Sequence, residues 1–244
     1  MRIKMNTKSI ILIKKEFKMK YFIHSIVMVL IMALSLDAQI RMGVVGGVNF
    51  ANLETTGESE VSTRTVFGIG AVFDLGLSEN FILCLEPMYI QKGGRVEEGE
   101  DINSDPGGWV KSSFIEIPLF LKVTYGSRIR PYLMAGPTIG YLLNSDLEID
   151  AFGLSFEGDM KDVTKRIDFG LGFGAGITIP IRFFSLFIEG RYTLGLNNLQ
   201  RGGTFEVSAG PLAVPIDFDE EDDKYKNRGF QILAGIAFSL GRKN

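Results

Sequence analysis

The sequence has few of the residues that most often build catalytic and metal sites. Among 244 residues there is one His, His24, and one Cys, Cys84. Because His24 lies in the leader discussed below, the rest of the chain can build no Ser-His-Asp or Cys-His arrangement and offers no imidazole to a metal. Paired carboxylates could still act as acid and base. The sequence favours a protein that is not an enzyme and that uses no cofactor and no metal.

A basic excess is also absent once the first 38 residues are set aside. Those residues carry seven of the 26 basic and two of the 29 acidic side chains, so the remainder has a net charge of −8. Nucleic-acid phosphates call for a basic face. The charge balance therefore argues against a nucleic-acid partner.

The one long apolar stretch covers residues 21–36, after Lys14, Lys15, Lys18 and Lys20 and before the small residue Ala38. This arrangement predicts a secretory signal peptide over residues 1–38 and an exported domain over residues 39–244. Met19 is interpreted as the true start of translation, and residues 1–18 as an upstream extension included by error. An uncleaved anchor is the alternative, although its apolar core is shorter than the ~20 residues of a spanning helix.

The exported domain has two dominant features, which are the alternation of apolar with other residues and a high glycine content. All 29 glycines lie there, and apolar residues recur at every second position, as where Phe169, Leu171 and Phe173 alternate with Gly170 and Gly172. A tilted strand needs about ten residues to cross a bilayer. Eight segments meet that length: residues 41–53, 63–77, 81–92, 113–124, 130–144, 167–180, 184–197 and 227–240.

Long and tight connectors alternate between these segments. The long polar links cover residues 54–62, 96–108, 145–166 and 199–226, and the tight links cover residues 78–80, 125–129 and 181–183. Eight segments joined by four long and three tight links predict an all-β, eight-stranded antiparallel up-and-down transmembrane barrel. Both termini would be periplasmic and the long loops extracellular. Outer-membrane lipid is then a partner, and we expect a monomeric barrel.

Interior volume decides which face of each strand points inward. An eight-stranded barrel has room only for its own side chains, so the glycine-rich face suits the interior and the apolar face suits lipid. A soluble barrel with an apolar interior is the alternative. A membrane barrel would place a set of charged side chains in its lumen: Glu86, Lys92, Glu116, Lys122, Asp168, Glu189 and Arg191.

Two interpretations of these lumen charges remain open. One is a satisfied network of ion pairs that fills the lumen, and the other is a narrow gated ion path or a mobile plug. The last long loop carries a separate acidic group: Asp217, Asp219, Glu220, Glu221, Asp222 and Asp223. This group is interpreted as a solvated extracellular tip, with calcium or magnesium binding as the alternative.

Three strand motifs resemble the PorT-like outer-membrane β-barrel family of Gram-negative bacteria. They are SFIEIPLFLK at residues 113–122, RPYLMAGP at residues 130–137 and DFGLGFGAG at residues 168–176. The resemblance implies an eight-stranded barrel and, from the founding member, a part in type IX protein secretion. A secretion or envelope-assembly accessory is therefore the first hypothesis. A porin-like small channel and a surface binding protein or adhesin acting through its loops are the alternatives.

Overall fold

The computed structural model describes residues 39–54, 60–97, 108–151, 154–210, 212–218 and 225–240. They lie within one compact unit, Gln39–Asn244, and the predicted signal peptide lies outside them. No helix among these residues is long and apolar enough to cross a membrane. The strands are β1 (Ile40–Glu54), β2 (Glu60–Ser62), β3 (Arg64–Gly76), β4 (Phe81–Leu85), β5 (Met88–Glu97), β6 (Gly108–Thr124), β7 (Arg130–Ala151), β8 (Leu154–Asp159), β9 (Ile167–Ile181), β10 (Phe184–Gly195), β11 (Gly203–Ala209), β12 (Leu212–Phe218) and β13 (Lys226–Ser239).

Eight strand positions close into a ring of antiparallel pairs. β1 pairs with β13 and β3, β13 with β10, β10 with β9, β9 with β7, and β7 with β6. β4 and β5 form one position, interrupted at Glu86 and Pro87, because both pair with β3 and with β6. The predicted eight-stranded up-and-down barrel is confirmed, and so are its three tight turns.

A sheet protrudes from the barrel at the end opposite the tight turns. β7 continues beyond its pairing with β9 and pairs with β8, which pairs with β11, which pairs with β12. A register shift where Ser113 and Phe114 meet β7 marks the start of this extension. The prediction that residues 145–166 and 199–226 are loops is therefore wrong, since both contain strands. We call β8, β11, β12 and the end of β7 the protruding sheet.

The outer face of the ring is apolar. Along β9 the exposed side chains run from Ile167 to Ile179, which at about 3.4 Å per residue and a tilt of about 40° spans roughly 30 Å. This height matches the hydrocarbon core of a bilayer. We call the exposed apolar side chains on the outer face of the ring the apolar belt. On β7 this belt ends at Leu143, and the next exposed residue is Asn144. The predicted orientation, with apolar side chains outward, is confirmed.

Glycine gives large inward side chains the room they need. A Cβ placed on Gly176 would lie 2.4 Å from Cζ of Tyr132, and one on Gly235 would lie 2.3 Å from Cζ of Phe187. Real Cβ atoms do not approach other atoms so closely, so no other residue fits at either position without moving a packed ring. The inward glycines therefore determine which bulky side chains the lumen holds.

Three prolines lie at one height on neighbouring ring positions. Pro87 follows β4, Pro118 lies on β6 and Pro137 lies on β7. Proline has no N–H to donate. The β6–β7 ladder has pairs on both sides of this height but omits the pairs of Leu119 and Phe120 with β7. We call this line of missing pairs the proline seam.

Candidate functional site

The structure places all seven predicted lumen residues inside the barrel. Their strands alternate strictly, and on β6 every second residue from Ser112 to Thr124 is buried. Each of the seven is at most 5% exposed. Charged groups removed from water to this extent require partners.

Glu86 is the centre of the larger cluster. Its carboxylate accepts a hydrogen bond from Lys122 Nζ at 2.9 Å and one from Arg191 Nη1 at 2.6 Å. The Cys84 thiol donates to the same carboxylate at 3.0 Å. Glu189 lies 3.7 Å from Lys122 Nζ and 3.5 Å from Arg191 Nη1. Two cations and two carboxylates thus hold strand positions together across the lumen.

Neutral side chains and a second ion pair support this cluster. Tyr132 donates to Glu189 at 2.6 Å, and Arg191 Nε donates to the Gln231 side chain at 2.6 Å. Asp74 accepts from Arg41 at 2.9 Å and lies 3.8 Å from Lys122 Nζ. These bonds extend the network to Tyr132, Gln231 and Arg41, although Glu189 Oε1 and Gln231 Nε2 remain without a hydrogen bond.

A smaller cluster lies nearer the protruding sheet. Lys92 Nζ forms an ion pair with Glu116 and another with Asp168, the latter at 3.1 Å. Asn227 donates to Asp168 at 2.8 Å. One cation therefore connects β5, β6 and β9.

Aromatic rings fill the space between the charges. Lys122 Nζ lies 5.2 Å from the ring centre of Tyr132 and 5.5 Å from that of Phe187. The Arg191 guanidinium lies 5.4 Å from the ring centre of Phe120. Cations and ring faces attract one another at such distances. The cross-section is thus occupied by packed side chains.

The arrangement joins opposite walls of the barrel through buried ion pairs. Within the described part of the chain no group of three or more His, Cys, Asp or Glu could hold a metal ion. Sequence reasoning missed Arg41 and Asp74 as members of the network. Both lie on the inward face of their strands, so their alternation with apolar neighbours could have identified them.

The acidic group of the last long loop falls mostly outside the described residues. Asp217 is the exception, because its backbone lies in β12 opposite Thr204. The other five members, from Asp219 to Asp223, are not described. Their interpretation as an extracellular tip, and the alternative of divalent cation binding, therefore stay predictions.

Comparison with known proteins places the chain among outer-membrane barrels. The family model described as outer membrane protein beta-barrel domain matches residues 35–201. A major outer membrane protein from Thermus thermophilus has 9% identity and a TM-score of 0.52, with 83% of this chain and 99% of that chain covered. At this identity the likeness shows the fold alone. No curated protein matches the sequence.

Two further solved structures are similar to a lesser degree. Neisserial surface protein A has 11% identity and a TM-score of 0.41, with 84% of this chain and 97% of that chain covered. OprG from Pseudomonas aeruginosa has 12% identity and a TM-score of 0.46, with 84% and 96% covered.

Proposed function

The chain belongs to the outer membrane protein beta-barrel domain family, and on this basis we propose that it is a non-enzymatic scaffold protein of the outer membrane. Its barrel anchors the protruding sheet, and the protruding sheet binds another protein. The resemblance to PorT-like barrels supports a place for this binding in protein secretion, of the type IX kind, or in envelope assembly.

The closed lumen is the observation that carries the proposal. Glu86, Lys122 and Arg191 connect opposite walls, and large aromatic side chains pack against their charges. A solute could pass only if these buried ion pairs broke, which is costly. The proposed function therefore excludes the porin-like channel, and we expect no discrete conductance steps from the purified protein in planar bilayers. Regular steps that disappear in Arg191→Gln would favour the channel instead.

The protruding sheet has the features of a binding element. One of its faces is packed, because Phe205 and Val207 of β11 contact Met160 and Val163. The opposite face exposes alternate residues of β8 and β11: Ser155, Glu157, Asp159, Thr204, Glu206 and Ser208. Because one face of the protruding sheet is covered, the sheet is stable in water. Because it lies beyond the apolar belt, its other face is accessible to a partner.

Like charges are concentrated on the exposed face. Asp146 lies directly opposite Asp159, and Glu148 lies opposite Glu157. Burial, together with the Asp159 and Glu157 carboxylates, raises the pKa of Asp146. Directly opposed like charges destabilise a sheet, and Lys111 offsets part of this repulsion through its ion pair with Glu148. This cost favours a partner with a basic surface, which would relieve the repulsion.

β12 offers a second mode of contact. Among the described residues it pairs on one side only, with β11, and an open edge can accept a further strand. Pro215 removes one donor from this strand. We propose that the acidic face provides the main contact and that the edge adds to it.

Cysteine labelling tests which side of the membrane the protruding sheet faces. Cys84 is fully buried, so a cysteine introduced at Ser208 would be the single accessible thiol. We expect a membrane-impermeant maleimide to label Ser208→Cys in intact cells. The matched control is Arg128→Cys, in the exposed turn between β6 and β7, which should react only after the outer membrane is opened. The reverse pattern would contradict the proposed extracellular orientation.

A hairpin replacement tests the binding function itself. A short Gly-Ser linker in place of residues 203–218 removes β11 and β12 and leaves every ring strand. We expect a heat-modifiable folded band on a gel, loss of photocrosslinks formed from position 157 on the retained strand β8, and the same secretion defect as gene deletion. Glu206→Lys is the finer variant, because it reverses one exposed charge and leaves the packed face intact.

The outcomes separate the two parts of the proposal. An unchanged secreted proteome after gene deletion would end the secretion role but not the binding role. Unchanged crosslinking in Glu206→Lys would contradict acidic-face binding. Unchanged function after hairpin replacement would end the proposal that the protruding sheet is the binding element.

A further inference from the structure

A small cavity lies inside the barrel at the end that carries the tight turns. It has a volume of about 20 Å³ and is lined by residues from every position of the ring. Three of its lining side chains are basic and one is acidic: Arg41, Lys122, Arg130 and Asp74. A space of this size holds one water molecule or one small ion.

The charges around the cavity are not balanced locally. Asp74 is compensated twice, by Arg41 at 2.9 Å and by Lys122 at 3.8 Å. Arg130 forms no ion pair with any described carboxylate, and its one hydrogen bond runs from Nη2 to the Glu79 carbonyl oxygen at 2.7 Å. The guanidinium of Arg130, which is partly exposed to solvent, therefore supplies a positive charge without a paired carboxylate at the cavity wall.

Unsatisfied donors point to an acceptor ligand. Thr124 is 3% exposed, and its hydroxyl has no hydrogen-bond partner. Arg130 Nε is buried and also lacks an acceptor. Both residues line the cavity. Buried donors without acceptors are uncommon in folded proteins and each needs an explanation.

We propose that this cavity binds one small monovalent anion of about the size of chloride. The anion accepts hydrogen bonds from Arg130 Nε and from the Thr124 hydroxyl, and it neutralises the Arg130 charge. Asp74 Oδ1 also lacks a hydrogen bond, but Arg41 and Lys122 compensate that carboxylate, so it does not repel the anion strongly. A single water molecule is the competing occupant.

Thermal unfolding of the full chain in detergent tests the proposal. Sodium chloride is exchanged for sodium gluconate at constant ionic strength, because gluconate is too large for the cavity. We expect Tm to rise with chloride and to reach saturation. In Arg130→Gln and in Thr124→Val the chloride concentration at half effect should rise at least about tenfold, since each change removes one hydrogen bond to an ion.

A variant at the same end of the barrel provides the control. Arg128→Gln removes an exposed positive charge from the adjacent turn and should keep the wild-type chloride dependence. Because the readout is a difference between two salts for one protein, a general loss of stability in a variant cancels. An identical Tm in both salts, or an unchanged chloride dependence in Arg130→Gln, would overturn the anion site and favour water.

Crystals grown with bromide give an independent readout. We expect an anomalous peak inside the cavity, close to Arg130 Nε and the Thr124 hydroxyl. A cavity without such a peak at saturating bromide overturns the proposal.

Discussion

Glu86→Gln removes the central charge of the lumen with almost no change of shape. Glu86 is fully buried and accepts bonds from Lys122 at 2.9 Å and from Arg191 at 2.6 Å. After the substitution both cations must rely on Glu189, at 3.7 and 3.5 Å, and Lys122 also on Asp74 at 3.8 Å. Loss of one partner of a buried pair costs about 3–5 kcal/mol, so the folding equilibrium constant should fall more than about a hundredfold.

Equilibrium unfolding in urea measures this loss. The protein is refolded into detergent micelles, and the folded fraction is followed by the heat-modifiable gel band and by the fluorescence of the single Trp, Trp109. Glu148→Gln is the matched control, because Glu148 forms a partly exposed ion pair with Lys111 and such pairs contribute about 0–1 kcal/mol. A loss in Glu86→Gln no larger than in this control would refute the view that buried ion pairs hold the lumen together.

Three other substitutions test the interior, the belt and the smaller cluster. Gly235→Leu should abolish the folded gel band, because even its Cβ would lie 2.3 Å from Phe187 Cζ. Ile188→Lys on the outer face should lower the free energy of unfolding in lipid vesicles by about 2–4 kcal/mol. Glu116→Ala should lower the unfolding temperature in detergent, because Lys92 loses an ion-pair partner.

Each of these has a control or a contrary outcome. Ala234→Leu introduces the same side chain at the neighbouring position, but this side chain points outward, so the variant should fold. Val214→Lys, in the protruding sheet, should change stability by less than about 0.5 kcal/mol. An unchanged unfolding temperature in Glu116→Ala would contradict a paired network. Folding of Gly235→Leu would show that the interior is less tightly packed than described.

The ring strands could be predicted because their two faces meet opposite environments. Lipid requires apolar side chains at every second position, as along β9, whereas the inward positions between them hold glycine, polar residues and buried apolar side chains such as Phe114 and Leu233. The protruding strands lack this contrast, since water covers one face and a small core covers the other. In β8, for example, Phe156 is the partly buried side chain that packs against that core, so the alternation is too short to separate it from a polar loop.

Seven members of the charge network could be predicted, but their pairing could not. Glu86 and Lys92 share one inward face, as do Glu116 and Lys122, yet residues six apart on a strand are about 20 Å apart. Their partners therefore come from neighbouring strands: Lys92 pairs with Glu116, and Lys122 pairs with Glu86. That choice depends on the register between strands, which one sequence does not specify.

The proline seam gives the barrel wall an uneven mechanical strength. Pro137 has no N–H to donate to Leu119 across this line, and hydrocarbon offers no water as a substitute. Transient separation of strands should therefore begin between Leu119 on β6 and Pro137 on β7. The hydrogen-bonded pairs of β1 with β3 and of β1 with β13 should remain intact. Amide hydrogen exchange in micelles should be faster at Leu119, whose hydrogen-bonding groups face β7, than at Phe120, which pairs with Cys84 of β4. Under an applied pulling force, β6 and β7 should also separate from each other before any other pair of ring strands.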